Sequence, residues 1–138
     1  MPKKIIEKTI IIDATPDKVW RVYTDAPVTK QMGGKYLTDW KIGGAFGWQG
    51  NDGEIYSHGK ILQLQKEKLL QHSIFDPDDR KVVASVITYR LTEKEGKTYL
   101  HGREEMVEAL ETDEDYADAV EGWDVALKSV KEIAEKLK

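Results

Sequence analysis

The side chains able to do chemistry are few and scattered: His58, His72, His101 and the carboxylates that begin at Glu104. Three histidines could meet around a metal, but their spacing matches no ligand pattern. The His-Glu-x-x-His, Gly-x-Ser-x-Gly and phosphate-cradling glycine motifs are all absent. The lack of cysteine removes thiolate nucleophiles, disulfides and cysteine-held zinc. Gly50-Asn51-Asp52-Gly53 offers acceptors, but too few carboxylates for a calcium loop. No metal or cofactor is expected. What remains is a set of apolar and aromatic residues interrupted by single polar groups: Phe46, Trp48, Tyr56, His58, Ile87, Tyr89, Leu100, Glu104, Trp123 and Leu127. Such a set either packs as plain core or lines a pocket for a largely apolar molecule.

Two polar members separate the possibilities. Glu104 alternates with Leu100 and Gly102, which puts it on the inner face of its strand; one step out of phase it is a solvated acid beside Glu105. A carboxyl held among apolar groups keeps its proton more readily and can hydrogen-bond or exchange a proton with a ligand. His58 shares a face with Tyr56, where it either orients a polar ligand group or is satisfied by a neighbouring strand. Together, Glu104 and His58 would be the acid and base of an enzyme working on a cyclic substrate. His72 and His101 are expected on the outer surfaces of their strands.

These residues must be positioned by a sheet and one long helix. From 112 to 138, Tyr116, Ala119, Val120, Trp123, Ala126, Leu127, Val130, Ile133, Ala134 and Leu137 recur at three- and four-residue steps, an apolar helical face. Thr112 with Asp115 three residues on supplies a capping box, with acids at the helix start and lysines at its end. Gly122 interrupts this helix at a cost of about 1 kcal/mol relative to alanine, which suggests a close backbone approach, a slight bend or a cavity beneath it.

The β-branched segment 5–12 reads as a first strand. Thr15-Pro16-Asp17 opens a short helix with Val19, Trp20, Val22 and Tyr23 on its apolar side, and 28–32 is a second helical piece ended by Gly33-Gly34. The period then becomes two, with strands predicted at 36–41, 45–49, 54–64, 69–75, 82–92 and 98–107, separated by turn residues. The order implies an α+β chain: a curved, antiparallel seven-stranded sheet wrapped around a long C-terminal helix, with two short helices after strand one.

With 138 residues, 40% of them hydrophobic and 33% charged, the chain suits a single domain over 1–138. A net charge of −4, with lysines interleaved among acids, argues against a nucleic-acid surface. No apolar run is long enough to span a bilayer, and Glu7 and Lys8 interrupt any signal-like segment, so a cytoplasmic location without membrane insertion is expected.

Ile12-Asp13-Ala14-Thr15-Pro16-Asp17-Lys18-Val19-Trp20, Gly43-Gly44-Ala45-Phe46, Gly59-Lys60-Ile61 and Gly122-Trp123 followed by Leu127 occur in this order on the predicted elements. Together they resemble the START-like or SRPBCC superfamily with its helix-grip fold. The branch they are most similar to is that of the activator of the heat-shock protein 90 ATPase. The resemblance covers nearly the whole chain and implies an internal apolar pocket; it implies no single activity, since the fold hosts carriers, cyclases, hydrolases and chaperone regulators. The eukaryotic activator has an additional N-terminal domain that makes much of the chaperone contact, and this chain resembles only its C-terminal domain. Three functions follow as expectations: binding of a small apolar molecule, a cyclase- or hydrolase-type enzyme in the same cavity, or a chaperone-regulating module acting through the sheet exterior. The expected state is a monomer or weak homodimer.

Overall fold

The computed structural model describes residues 4–137; the predictions for residues 1–3 and 138 lie outside them. β1 (Ile5–Ile12) buries Ile6 and Ile12 and exposes Ile5 and Ile11. α1 (Pro16–Thr24) starts with proline in its first turn and buries Val19, Trp20, Val22 and Tyr23. α2 (Ala26–Thr29) follows at once. The buried Thr29 Oγ1 donates to the Val22 carbonyl at 2.6 Å, stitching the two helices together. A 3-10 turn, Lys30–Met32, ends at Gly33, whose φ of 105° few other residues adopt.

Six strands then run as a meander: β2 (Gly34–Thr38), β3 (Ala45–Gly50), β4 (Ile55–Gln65), β5 (Leu69–Phe75), β6 (Val83–Lys94) and β7 (Lys97–Met106). The spatial order is β1-β7-β6-β5-β4-β3-β2, antiparallel throughout, so the chain's first two strands form the two edges. Two predicted strands move by more than one residue at an end. The second strand is Gly34–Thr38 rather than 36–41, because Trp40 takes a left-handed backbone and the Asp39 carboxylate accepts from the Lys41 amide at 3.1 Å, closing a turn. β6 extends to Lys94 because Glu95 and Gly96 alone make the connection to β7. Both have positive φ, the two-residue turn whose twist matches paired strands.

α3 (Asp113–Lys136) is capped as expected: Thr112 Oγ1 accepts from the Asp115 amide at 3.0 Å. Its buried residues Trp123, Leu127, Val130, Ile133 and Ala134 join Ile6, Ile12, Val19, Val22, Leu70, Leu91 and Leu100 in the core. α3 packs mainly against β1 and α1. It therefore covers one half of the sheet's concave face and leaves space over the other.

Side chains of α3 also tie down the β1 edge. Tyr116 Oη donates to the Ile5 carbonyl at 2.9 Å, Lys131 Nζ donates to the Ile11 carbonyl at 3.2 Å, and Glu135 accepts from the Asp13 amide at 2.8 Å. Lys131 and Glu135 are themselves ion-paired. Backbone groups that an edge strand leaves open to another chain are thus partly occupied from within.

Candidate cavity between the sheet and the closing helix

Where α3 stands clear of the sheet lies a cavity of about 410 Å³. Tyr36, Phe46, Trp48, Ser57, His72, Ile74, Ile87 and Tyr89 line it from the sheet, Met32 from the 3-10 turn, and Gly122, Val125, Ala126 and Ser129 from α3. The space exists because facing positions are small. On β4 the residue opposite Trp48 is Ser57, and on the helix Gly122, Ala126 and Ser129 form a stripe at four- and three-residue steps. Larger side chains there would fill the gap as Leu127 and Val130 fill the adjoining core. Val125 and Gly122 are exposed, so the helix side is the rim.

The sheet wall is aromatic. Tyr36 stacks on Phe46 with centroids 4.7 Å apart and meets Trp48 edge-on at 4.9 Å, while the His72 ring lies 4.2 Å from Phe46. His72, only 5% exposed, shares the inward phase of Leu70 and Ile74, contrary to the expected surface position. Its Nδ1 lies 3.2 Å from the Ser73 carbonyl; since a carbonyl only accepts, Nδ1 carries the proton and Nε2 presents a bare lone pair. Burial pushes its pKa down to about 4, against a smaller upward pull from that carbonyl, so the ring is neutral near pH 7.

Tyr89 and Tyr36 hold their phenol protons firmly: burial raises both pKa values, and the charge of Glu104 adds to the effect on Tyr89. Neither hydroxyl has a hydrogen-bond partner among the described residues. Behind them the Tyr23 ring sits 4.9 Å from Tyr89, and its hydroxyl is sealed from solvent without a partner.

The sequence-predicted residues divide into three groups. Phe46, Trp48, Ile87 and Tyr89 line the cavity. Leu100 (0% exposed), Leu127 (3%) and Trp123 are packed in the core beside it and do not line it. Trp123 lies over Gly102, where any Cβ would collide with the indole, and its Nε1 donates to Glu104 Oε1 at 2.9 Å. Glu104 does have the inward phase, paired with Ile6 and Ile87, but its carboxylate holds the indole at the cavity's back instead of lining it.

Tyr56 and His58 are corrected. Phe46 and Trp48 pair with Gly59 and Ser57, and paired residues share a face, so Tyr56 and His58 point to the other side of the sheet. Tyr56 is 64% exposed and donates to Asp52, and both Tyr56 and His58 border a separate hollow with Phe75 and Arg80. His58 and Glu104 therefore cannot act on one substrate. His101 bridges Thr9 and Glu7 on a partly exposed face. Among the described residues, no three His, Cys, Asp or Glu side chains gather where they could hold a metal ion, and no helix is long and apolar enough to cross a membrane.

Sequence reasoning missed Met32, Tyr36, Ser57, His72, Ile74 and, apart from Gly122, the helix stripe. The alternation Leu70, His72, Ile74 carried His72 and Ile74, and the small residues at 122, 126 and 129 the stripe.

The whole arrangement recurs in solved structures. A solution structure of ChR145 from Cytophaga hutchinsonii superposes with a TM-score of 0.77 at 26% identity, covering 98% of this chain and 96% of that one. The solution structure of the Aha1 dimer from Colwellia psychrerythraea gives 0.77 at 20% identity over 96% of both chains. The crystal structure of CalU16 from Micromonospora echinospora gives 0.75 at 23% identity, covering 96% of this chain and 76% of that one. No curated protein matches. Residues 13–135, from the end of β1 almost to the end of α3, match the family described as activator of Hsp90 ATPase homolog 1-like protein, and the chain belongs to that family within the helix-grip, START-like fold.

Proposed function

We propose that this protein binds a small, largely apolar molecule in the cavity between the sheet and α3. The observation that carries the reading is an aromatic wall bordering an open cavity of about 410 Å³, with His72, Tyr36 and Tyr89 presenting unpartnered polar atoms. A volume in the roughly 300–1,000 Å³ range with few convergent polar groups is what small-molecule sites share. A protein with no ligand to receive there would gain stability by filling the space. Cytoplasmic residence as a monomer or weak homodimer belongs to the same proposal; the Colwellia relative is described as a dimer.

A native mass spectrum of freshly purified, untagged protein tests this. A reproducible added mass that is lost on denaturation, and is absent from Ala126→Trp, supports the reading; a bare mass, together with no uptake of an environment-sensitive apolar dye, overturns it. The same spectrum counts subunits. The family description favours a second reading, a chaperone-regulating module, which a pull-down with the heat-shock protein 90 chaperone would bear out or sink. The enzyme expectation loses its acid–base pair, since His58 and Glu104 sit on opposite faces of the sheet.

A further inference from the structure

We propose that the cavity selects uncharged, flat ring compounds bearing a hydroxyl group and excludes the carboxylates of the same rings; this rests on the ligand-binding reading above. Its walls are ring faces, Tyr36 stacked on Phe46 with Trp48 beside them, which suit a flat aromatic body. No lysine or arginine is among the lining residues. An ionised carboxylate would lose its hydration there with no cation to receive it.

His72 makes the choice sharper. With Nδ1 committed to the Ser73 carbonyl, His72 offers the cavity only the Nε2 lone pair, and that atom is not among those sealed from solvent without a partner. A lone pair takes a proton donor. A hydroxyl supplies one, whereas a carboxylate brings a second set of lone pairs and is repelled. Glu104, close enough to act on the Tyr89 phenol, adds a negative field behind the wall. The Tyr36 and Tyr89 hydroxyls remain free to donate to a further oxygen of the ligand.

Titration of the protein with 2-naphthol, 2-methoxynaphthalene and 2-naphthoate at neutral pH, followed by calorimetry, tests the proposal. The naphthol is expected to bind about tenfold more tightly than its methyl ether, which keeps the oxygen and loses the donor. The naphthoate is expected to bind about a hundredfold more weakly than the naphthol. His72→Phe should abolish most of the difference between naphthol and ether. If that variant does not fold, the naphthol–ether comparison in the natural chain decides alone. Equal binding of naphthol and ether, or naphthoate binding as tightly as naphthol, overturns the selectivity while the cavity stands. No binding of any of the three, with Ala126→Trp indistinguishable from the natural chain in dye uptake, overturns the cavity reading and the selectivity with it.

Discussion

His72 couples the cavity to acidity. Its ring is buried and its folded pKa, about 4, lies below the 6.5 of an ordinary histidine, so between those values the unfolded chain binds the extra proton. Above pH 6.5 nothing is lost; as pH falls from 6.5 towards 4, stability drops by up to about 3 kcal/mol, and below 4 this contribution is constant. Urea unfolding followed from pH 7 to 4 should show this decline, and His72→Gln should flatten it. An equally steep decline in the variant would place the cause elsewhere.

Trp123 depends on two residues of β7, Gly102 and Glu104. A methyl group at Gly102 would occupy the indole's place, so Gly102→Ala should destabilise by about 1–3 kcal/mol, read as a fall in the urea midpoint. Glu104→Gln keeps an acceptor for the indole N–H and should cost less than Glu104→Leu, which leaves that donor without a partner, by about 1 kcal/mol. Similar losses in both variants would mean the hydrogen bond contributes little.

Among the elements, the strands and the long helix were legible because burial imposes a period on the sequence. The isoleucines of β1 and the three- and four-residue steps of α3 have no other economical explanation. The phase of β4 was not legible. Tyr56 and His58 look like inner residues by type, yet Ser57 and Gly59 take the inner positions across from Trp48 and Phe46, and register shifts at 48/49 and 61/63 bracket the segment. Residue type misleads where a cavity replaces packing, since the inward residues are then the small ones. Of the helix stripe, Gly122 was visible as an interruption of the helix, whereas Ala126 and Ser129 were hidden for the same reason.

Gly122 shows what that stripe costs α3. Beyond its own helix backbone and chain neighbours, no atom lies within 4 Å of where its Cβ would stand. Gly122→Ala should therefore recover about 1 kcal/mol of helix propensity, seen as a raised midpoint with ligand capacity intact. A lower midpoint would show that the glycine serves the backbone rather than the space.

At the scale of the molecule, one sheet does two jobs. Its β1 and β7 side is filled by α3 and α1, while on its β2–β6 side core residues such as Ile61, Leu70 and Leu91 adjoin an aromatic wall around open volume. Phe46 and Ile87 belong to both the core and the cavity wall, so changes there should affect stability and binding together.

The anchoring of α3 is correspondingly uneven. Its later turns carry Leu127, Val130, Ile133 and Ala134 in the core and tie Lys131 and Glu135 to the β1 edge, whereas the turns before Trp123 have no fully buried side chain. Amide protons should record this as a gradient: exchange with deuterated solvent near the global unfolding limit for 127–136, and through cheaper local opening for 113–121. Occupancy of the cavity should slow exchange in the early segment and leave the late one unchanged, so that the helix reports its ligand at one end only.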